Sequence, residues 1–322
     1  MSRLLRLEKY AWVRTLSSSS TTIQSINLFI LKQFKFVPLL YAMLHDIYLD
    51  AIKKHESKRA GISESDSTNR KILEKARESW VEYQPVASES ILAGIDSSYN
   101  RQRFQGFHLY AVDAVCVTKE GSILAKEMDH DIGVKDQSQL EARSMEMETS
   151  LARKAADKAD LILIDGSMIS RFVMPNASAI TSLIDLIKEH TNVVFISKTS
   201  NSMKIFERMG SKVGDIYFFN HIGRKAGYSK PYLITDYKEQ PVTVVYARLG
   251  DYTPLVKLEF HDAVTEDEVQ RTLDQLAYGS VSGYPYVLKL AHKTVLVSDN
   301  DIERLASIYG LKNEIGARAV LR

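Results

Sequence analysis

Two short apolar runs end on aspartate: Ser90-Ile-Leu-Ala-Gly-Ile-Asp96 and Asp160-Leu-Ile-Leu-Ile-Asp165. Runs of this length and composition read as buried strands. Small residues follow each, Ser97-Ser98 in one case and Gly166-Ser167 in the other. Taken singly, each aspartate is most simply a cap on the turn or helix that follows. As a pair closing two strands of one sheet they converge, and with a carboxylate from a neighbouring helix they form an oxygen-rich cluster suited to hard cations such as magnesium or manganese. Two such ions about 3.5 to 4 Å apart can activate water and stabilise the leaving oxygen in phosphodiester cleavage.

Between the aspartates, residues 139–159 contain neither proline nor glycine, and Leu140, Met147, Leu151 and Ala155 recur at helical spacing. This helix offers Glu141, Glu146 and Glu148. At about 100° per residue, Glu146 falls at one edge of the apolar stripe and Glu141 and Glu148 at the other, so periodicity does not choose among them. Later in the chain come Tyr284 and His292. Histidine can ligate a metal or move a proton near neutral pH, and tyrosine can position a phosphate or stack on a base. On residue type alone, His292 is most simply a helix-end or satisfied core residue and Tyr284 a packed turn aromatic. Lys198, Lys204, Arg208, Arg224, Lys225 and Arg248 are candidate phosphate contacts, with a solvated surface as the plain alternative.

Three strands are expected in sequence over 90–96, 107–117 and 122–128, then the 139–159 helix, a strand over 160–165, a helix over 178–190 and a strand over 192–197. That order, β-β-β-α-β-α-β with its carboxylate placement, resembles a ribonuclease H-like architecture. Beyond it, strands are expected over 242–249 and 255–260, helices over 265–277 and 301–309, and a loop over 281–286. Upstream, Leu44, Ile47, Tyr48 and Ile52 share helical spacing, and residues 68–83 repeat the pattern behind the polar loop 61–67. The fold class is therefore α/β: a ribonuclease H-like mixed sheet with flanking helices and a helical N-terminal region. The expected division is an extension over 1–40, the helical region over 41–90 and the nuclease-like domain with its C-terminal elaboration over 91–322.

Composition narrows the function classes. The 322 residues are 45% hydrophobic and 25% charged, an ordinary globular balance, and 42 basic against 40 acidic side chains leave +2. Any nucleic-acid surface must therefore be local rather than a property of the whole chain. One cysteine, Cys116, excludes an internal disulfide and a cysteine-based zinc site and suits a reducing compartment. The apolar stretch 26–49 is interrupted by Lys32, Lys35, His45 and Asp46, so no membrane span is expected. The opening segment is basic and serine-rich, but Glu8, Lys9 and Arg14 break any signal-peptide core, and a cytoplasmic protein is expected. No G-x-x-x-x-G-K-[ST] loop occurs, so an ATP-driven step would belong to a partner.

The ordered set Gly94-Ile-Asp-Ser-Ser98, the glutamate-rich helix, Leu161-Ile-Leu-Ile-Asp-Gly-Ser167 and Gly283-Tyr-Pro-Tyr-Val-Leu-Lys-Leu-Ala-His292 resembles the NurA nuclease family. The similarity runs over residues 92–322. It implies a manganese-dependent deoxyribonuclease, with magnesium as the alternative ion. It further implies 5'–3' exonuclease and single-strand endonuclease action on single-stranded DNA and duplex ends. The implied setting is a homodimer working with the hexameric translocase HerA in end resection for homologous recombination. Carried over by residue, Asp96 matches the first-strand metal ligand, Glu146 the helix glutamate and Asp165 the second-strand aspartate. Glu148 exchanges with Glu146 under a small alignment shift. Tyr284 and His292 match the family's late tyrosine and histidine, with His292 a further metal ligand. Lys198, Arg224, Lys225 and Arg248 remain the candidates for holding DNA. Two rival readings are a catalytically weak DNA-end adaptor of a translocase and a structure-selective resolvase on the related fold.

Overall fold

The computed structural model describes residues 42–60, 67–237, 240–311, 313–314 and 316, so the expected extension over 1–40 lies outside the described residues. Helices α1 (Ala42–Ala60) and α2 (Ser67–Glu78) precede strands β1 (Trp80–Glu82), β2 (Leu92–Arg103), β3 (His108–Thr118) and β4 (Ile123–Gly133). Helix α3 (Gln137–Ala155), strand β5 (Leu161–Asp165), the short α4 (Met168–Phe172), α5 (Ala177–Glu189) and β6 (Val193–Ser197) follow. Next come α6 (Asp215–His221), β7 (Gly227–Ser229), β8 (Tyr232–Tyr237), β9 (Gln240–Arg248) and β10 (Val256–His261). The chain ends with α7 (Glu266–Tyr278), β11 (Ser280–Val281), β12 (Tyr284–Pro285), α8 (Tyr286–Val295) and α9 (Asp299–Ile308). Two compact units divide the chain at residue 63, and α1 is the described part of the first. Among the described residues, no helix is long and apolar enough to cross a membrane.

The second unit is built on a mixed sheet with strand order β1-β7-β9-β10-β6-β5-β2-β3-β4, and β8 is paired to β9. Its centre is the ribonuclease H-like part: β2, β3 and β4 run antiparallel in sequence, and β5 and β6 add on the other side of β2 in parallel. Parallel pairing requires crossover connections, supplied here by α3 and by α4 with α5. Helix α3 starts at a capping box between Asp136 and Gln139, and α5 starts at Asn176, whose side chain accepts from the Ala179 N–H.

Strand alternation sorts the core into two faces. Ile162 and Ile164 point to one side with Ile95, Phe195 and the α3 residues Met147 and Leu151. Leu161 and Leu163 point to the other with Leu273 and Leu276 of α7 and Val287 and Leu288 of α8. With both faces covered, β5 and β6 read as continuous apolar runs rather than alternating ones, which is why they are legible as buried strands. Helix α2 contributes Ile72, Leu73 and Ala76 to the first face.

Two expectations change. Residues 281–286 are not a loop: Ser280 and Val281 pair with Pro285 and Tyr284, and α8 begins at Tyr286. The turn between them has Ser282 at φ 56° and Gly283 at φ 77°, the doubly left-handed form that closes a two-residue hairpin. Nor does Asp96 close its strand. β2 continues to Arg103 along β3, and it is the parallel partner β5 that stops.

Candidate metal centre

Register places the two aspartates side by side. Ile95 of β2 pairs with Ile164 of β5 in the parallel ladder, so Asp96 and Asp165 are the next residues on adjacent strands, at the point where β5 ends. Helix α8 crosses β2 closely enough that a Cβ on Gly94 would lie 2.6 Å from the Val287 carbonyl carbon. Only glycine allows that approach, and it carries His292, one and a half turns further along α8, onto Asp96. His292 Nδ1 is 2.9 Å from Asp96 Oδ2, and one ligand atom from each of Asp96, Asp165 and His292 lies within 4.8 Å of the others.

Around this triad the side chains form a polar frame. Asp96 Oδ1 accepts from the Ser97 N–H at 2.9 Å, and Asp165 Oδ2 pairs with Lys198 Nζ at 2.6 Å. Ser97 Oγ donates to Glu148 Oε1 at 2.6 Å, while the other Glu148 oxygen pairs with Arg171 Nη1. Arg171 also donates through Nη2 to the Asp165 carbonyl at 2.9 Å, so one guanidinium ties α3 to the end of β5. Burial pushes the Asp96 carboxyl up to about 6, with the negative charges of Asp165 and then Glu148 adding to the effect. Burial, followed by the charges of Asp165 and Asp96, also raises the Tyr284 phenol. Its Oη is buried without a hydrogen-bond partner, and Lys198 Nζ sits 5.3 Å above its ring.

This donor set fits a hard divalent cation. Two carboxylates and an imidazole converge; burial is the main cause that raises Asp96, and a bound cation would favour its charged form and offset the added repulsion of Asp165.

The two candidate helix glutamates have different partners. Glu146 lies on the opposite edge of α3, where it pairs with Arg143, which in turn holds Asp129 of β4. Glu148 is the glutamate turned to Asp96, through Ser97 and Arg171. Glu141 instead accepts from Tyr99 Oη and Gln137 Nε2.

The basic candidates also separate. Lys198 belongs to the centre. Arg224 and Lys225 are exposed, contacting Asn220 and Asp251 respectively. Arg248 is not available to DNA: it is 1% exposed and donates to the carbonyls of Thr253, Gly223 and Lys225. Arg171 is the site residue that sequence reasoning misses, since a lone arginine six positions after Asp165 carries no signal of its own.

Known proteins share this architecture. The chain is 25% identical to the DNA double-strand break repair nuclease NurA of Sulfurisphaera tokodaii, over 84% of this chain and 97% of that protein. It is 26% identical to the protein of the same name from Saccharolobus solfataricus, over 84% and 96%. The crystal structure of the NurA nuclease from Sulfolobus solfataricus superposes with a TM-score of 0.70 at 21% identity, over 84% of this chain and 97% of that one. A NurA crystal structure bound to dAMP and manganese superposes with a TM-score of 0.56 at 12% identity, over 88% and 99%. The NurA domain model matches residues 90–297, more than half of the chain, and spans both strand aspartates, the α3 glutamates, Tyr284 and His292; the chain therefore belongs to the NurA family.

Proposed function

We propose that this chain is a metal-dependent deoxyribonuclease that hydrolyses phosphodiester bonds in DNA double-strand break repair and uses manganese. The observation that carries the reading is the meeting of Asp96, Asp165 and His292, contributed by two parallel strands and a late helix. The names of the relatives and the manganese in a structural neighbour support it. Held by Asp96, Asp165 and His292, the ion supplies Lewis acidity toward a phosphoryl oxygen and eases ionisation of the attacking water.

The protein's own groups do the rest. Asp96 orients the His292 ring through Nδ1, which leaves the other ring nitrogen to face the ion. Lys198, half-exposed beside Asp165, offers a fixed positive charge to an incoming phosphate. Tyr284 keeps its proton, because burial and then the charges of Asp165 and Asp96 raise its phenol, and its Oη meets no acceptor among the described residues. Glu148, Ser97 and Arg171 hold α3 at a fixed distance from the strand ends, which preserves the spacing of the carboxylates.

At a finer level, the reading comprises 5'–3' exonuclease and single-strand endonuclease action at DNA ends, a homodimer, and a cytoplasmic location. It also comprises partnership with a HerA-type hexameric translocase. The partnership is supported by the absence of a phosphate-binding loop in the sequence, which leaves ATP-driven movement along DNA to another protein. Cleavage does not require residues 1–40. Incubation of the isolated protein with end-labelled single-stranded DNA, with manganese and with chelator, tests the activity. Manganese-dependent cleavage is expected, whereas binding without cleavage would favour the adaptor reading.

A further inference from the structure

Two strained turns pack against each other next to the candidate metal centre. One is the Ser282-Gly283 turn leading into Tyr284, with both residues in the left-handed region. The other joins β9 to β10 and holds Tyr252 at φ 63°, a conformation that is an outlier for a bulky side chain. A Cβ on Gly283 would lie 2.3 Å from the Thr253 Cβ, so the turns are in direct contact, with Tyr252 and Tyr284 each one residue from it.

The turn carrying Tyr252 is rigidly built. The Tyr252 N–H donates to the Arg224 carbonyl at 2.7 Å, and the Thr253 N–H and hydroxyl donate to the Gly250 carbonyl at 3.1 and 2.7 Å. Asp251 accepts from the Ala226 N–H at 2.8 Å and pairs with Lys225, while the buried Arg248 guanidinium reaches the Thr253 carbonyl from below. This network orders the backbone but leaves the Tyr252 ring 81% exposed. A glycine would meet the same backbone requirement without strain. An exposed tyrosine ring on an ordered backbone has only two side-chain torsions to settle when a flat partner docks, and strained backbone held by its surroundings gathers at functional positions.

The neighbours indicate which flat partner. Arg224, whose carbonyl accepts from the Tyr252 N–H, and its neighbour Lys225 are both exposed. Asp251 offsets Lys225, while the Arg224 guanidinium donates to the neutral Asn220 side chain. An aromatic face flanked by cations matches an unpaired base and its adjacent phosphates. We infer that Tyr252 is a stacking platform for an unpaired base of the DNA strand, with Arg224 and Lys225 contacting the flanking phosphates. Through the Thr253–Gly283 contact, its position is fixed relative to Tyr284. Inside a duplex both faces of a base are covered by its stacked neighbours, and only the terminal pairs expose one, so the platform favours single strands.

The inference rests on the nuclease reading, and the experiment separates the two. Fluorescence anisotropy would measure binding of a labelled oligothymidine and a blunt duplex of equal length. Calcium would replace manganese so that the DNA stays uncut, and wild type, Tyr252→Gly and Tyr252→Phe would be compared. Tyr252→Gly relieves the left-handed strain, so its melting temperature should equal or exceed that of wild type. Its affinity for oligothymidine should fall about tenfold, the scale of one base–aromatic stack, and its affinity for duplex by less than about twofold. Tyr252→Phe keeps the ring and should stay within about twofold of wild type on both. Equal oligothymidine affinity for Tyr252→Gly and wild type would overturn the inference, as would equal losses on single strand and duplex or a Phe variant as weak as the Gly variant. If wild type binds and cleaves DNA, such a result sinks the platform alone. If wild type neither binds nor cleaves DNA, the nuclease reading falls with it.

Discussion

His292 Nδ1 and Asp96 Oδ2 lie 2.9 Å apart although 196 positions separate the residues in the chain. The contact depends on Gly94, two residues before Asp96, because any larger residue would push α8 off β2. A strand residue buried in the sheet and an exposed histidine on a late helix are thereby made neighbours. Their shared environment contains two further carboxylates, Asp165 and Glu148.

Asp96→Asn and Asp165→Asn are each expected to lower manganese-dependent cleavage by more than about a hundredfold, exceeding the loss typical of removing an outer partner of a metal ligand. Both substitutions preserve side-chain shape, so circular dichroism and DNA affinity should be little changed. Cleavage near the wild-type rate by either variant would remove that residue from the metal centre.

The two α3 glutamates should behave oppositely. Glu146→Gln loses only a partly exposed pair with Arg143, and cleavage and melting temperature should remain close to wild type. Glu148→Gln leaves the Arg171 guanidinium, 12% exposed, without its counter-charge. Breaking a buried pair in this way costs about 3 kcal/mol or more and should lower both the melting temperature and cleavage. A reversed order would make Glu146 the helix glutamate of the centre.

Manganese affinity should depend on pH through Asp96. Its carboxyl, raised to about 6 by burial and the neighbouring charges, is ionised above that value and ready for a cation. Below it, a proton occupies the position and must be displaced. Titration calorimetry should therefore find affinity falling as the pH drops through about 6. Asp96→Asn should bind manganese weakly throughout, and a variant that binds like wild type would remove Asp96 from the centre.

Helix α1 offers Ile47, Tyr48 and Ile52 as exposed apolar side chains; the Leu44 side chain lies outside the described residues. Replacing Ile47 and Tyr48 with serine should weaken co-purification with a HerA-type translocase and leave cleavage of single-stranded DNA within about twofold, since exposed apolar clusters serve association more than folding. Unchanged association would put the interface elsewhere. A chain beginning at Met43 should retain cleavage.

Particular residues show how far the sequence leads. The strands that carry Asp96 and Asp165 are legible because buried parallel strands are uniformly apolar. That the aspartates adjoin is not, because it depends on the one-residue register between β2 and β5. Glu146 and Glu148 lie at opposite edges of the same helical stripe, and only the tertiary partners Ser97 and Arg171 distinguish them. Arg248 has a surface residue's composition, yet carbonyls of two separate loops satisfy it inside the protein. Helix α8 hides behind its own start. The Ser-Gly turn and Pro285 read as loop, although a proline at a helix start is also an ordinary opening for one.

The most direct measurement is anomalous scattering at the manganese absorption edge from crystals soaked in manganese. A peak is expected on the order of 2 Å from carboxylate oxygens of Asp96 and Asp165 and from a ring nitrogen of His292, the range of hard-cation ligand bonds. A manganese peak bound elsewhere, or none at these three residues in crystals of a protein that cleaves DNA with manganese, would contradict the assignment of the centre.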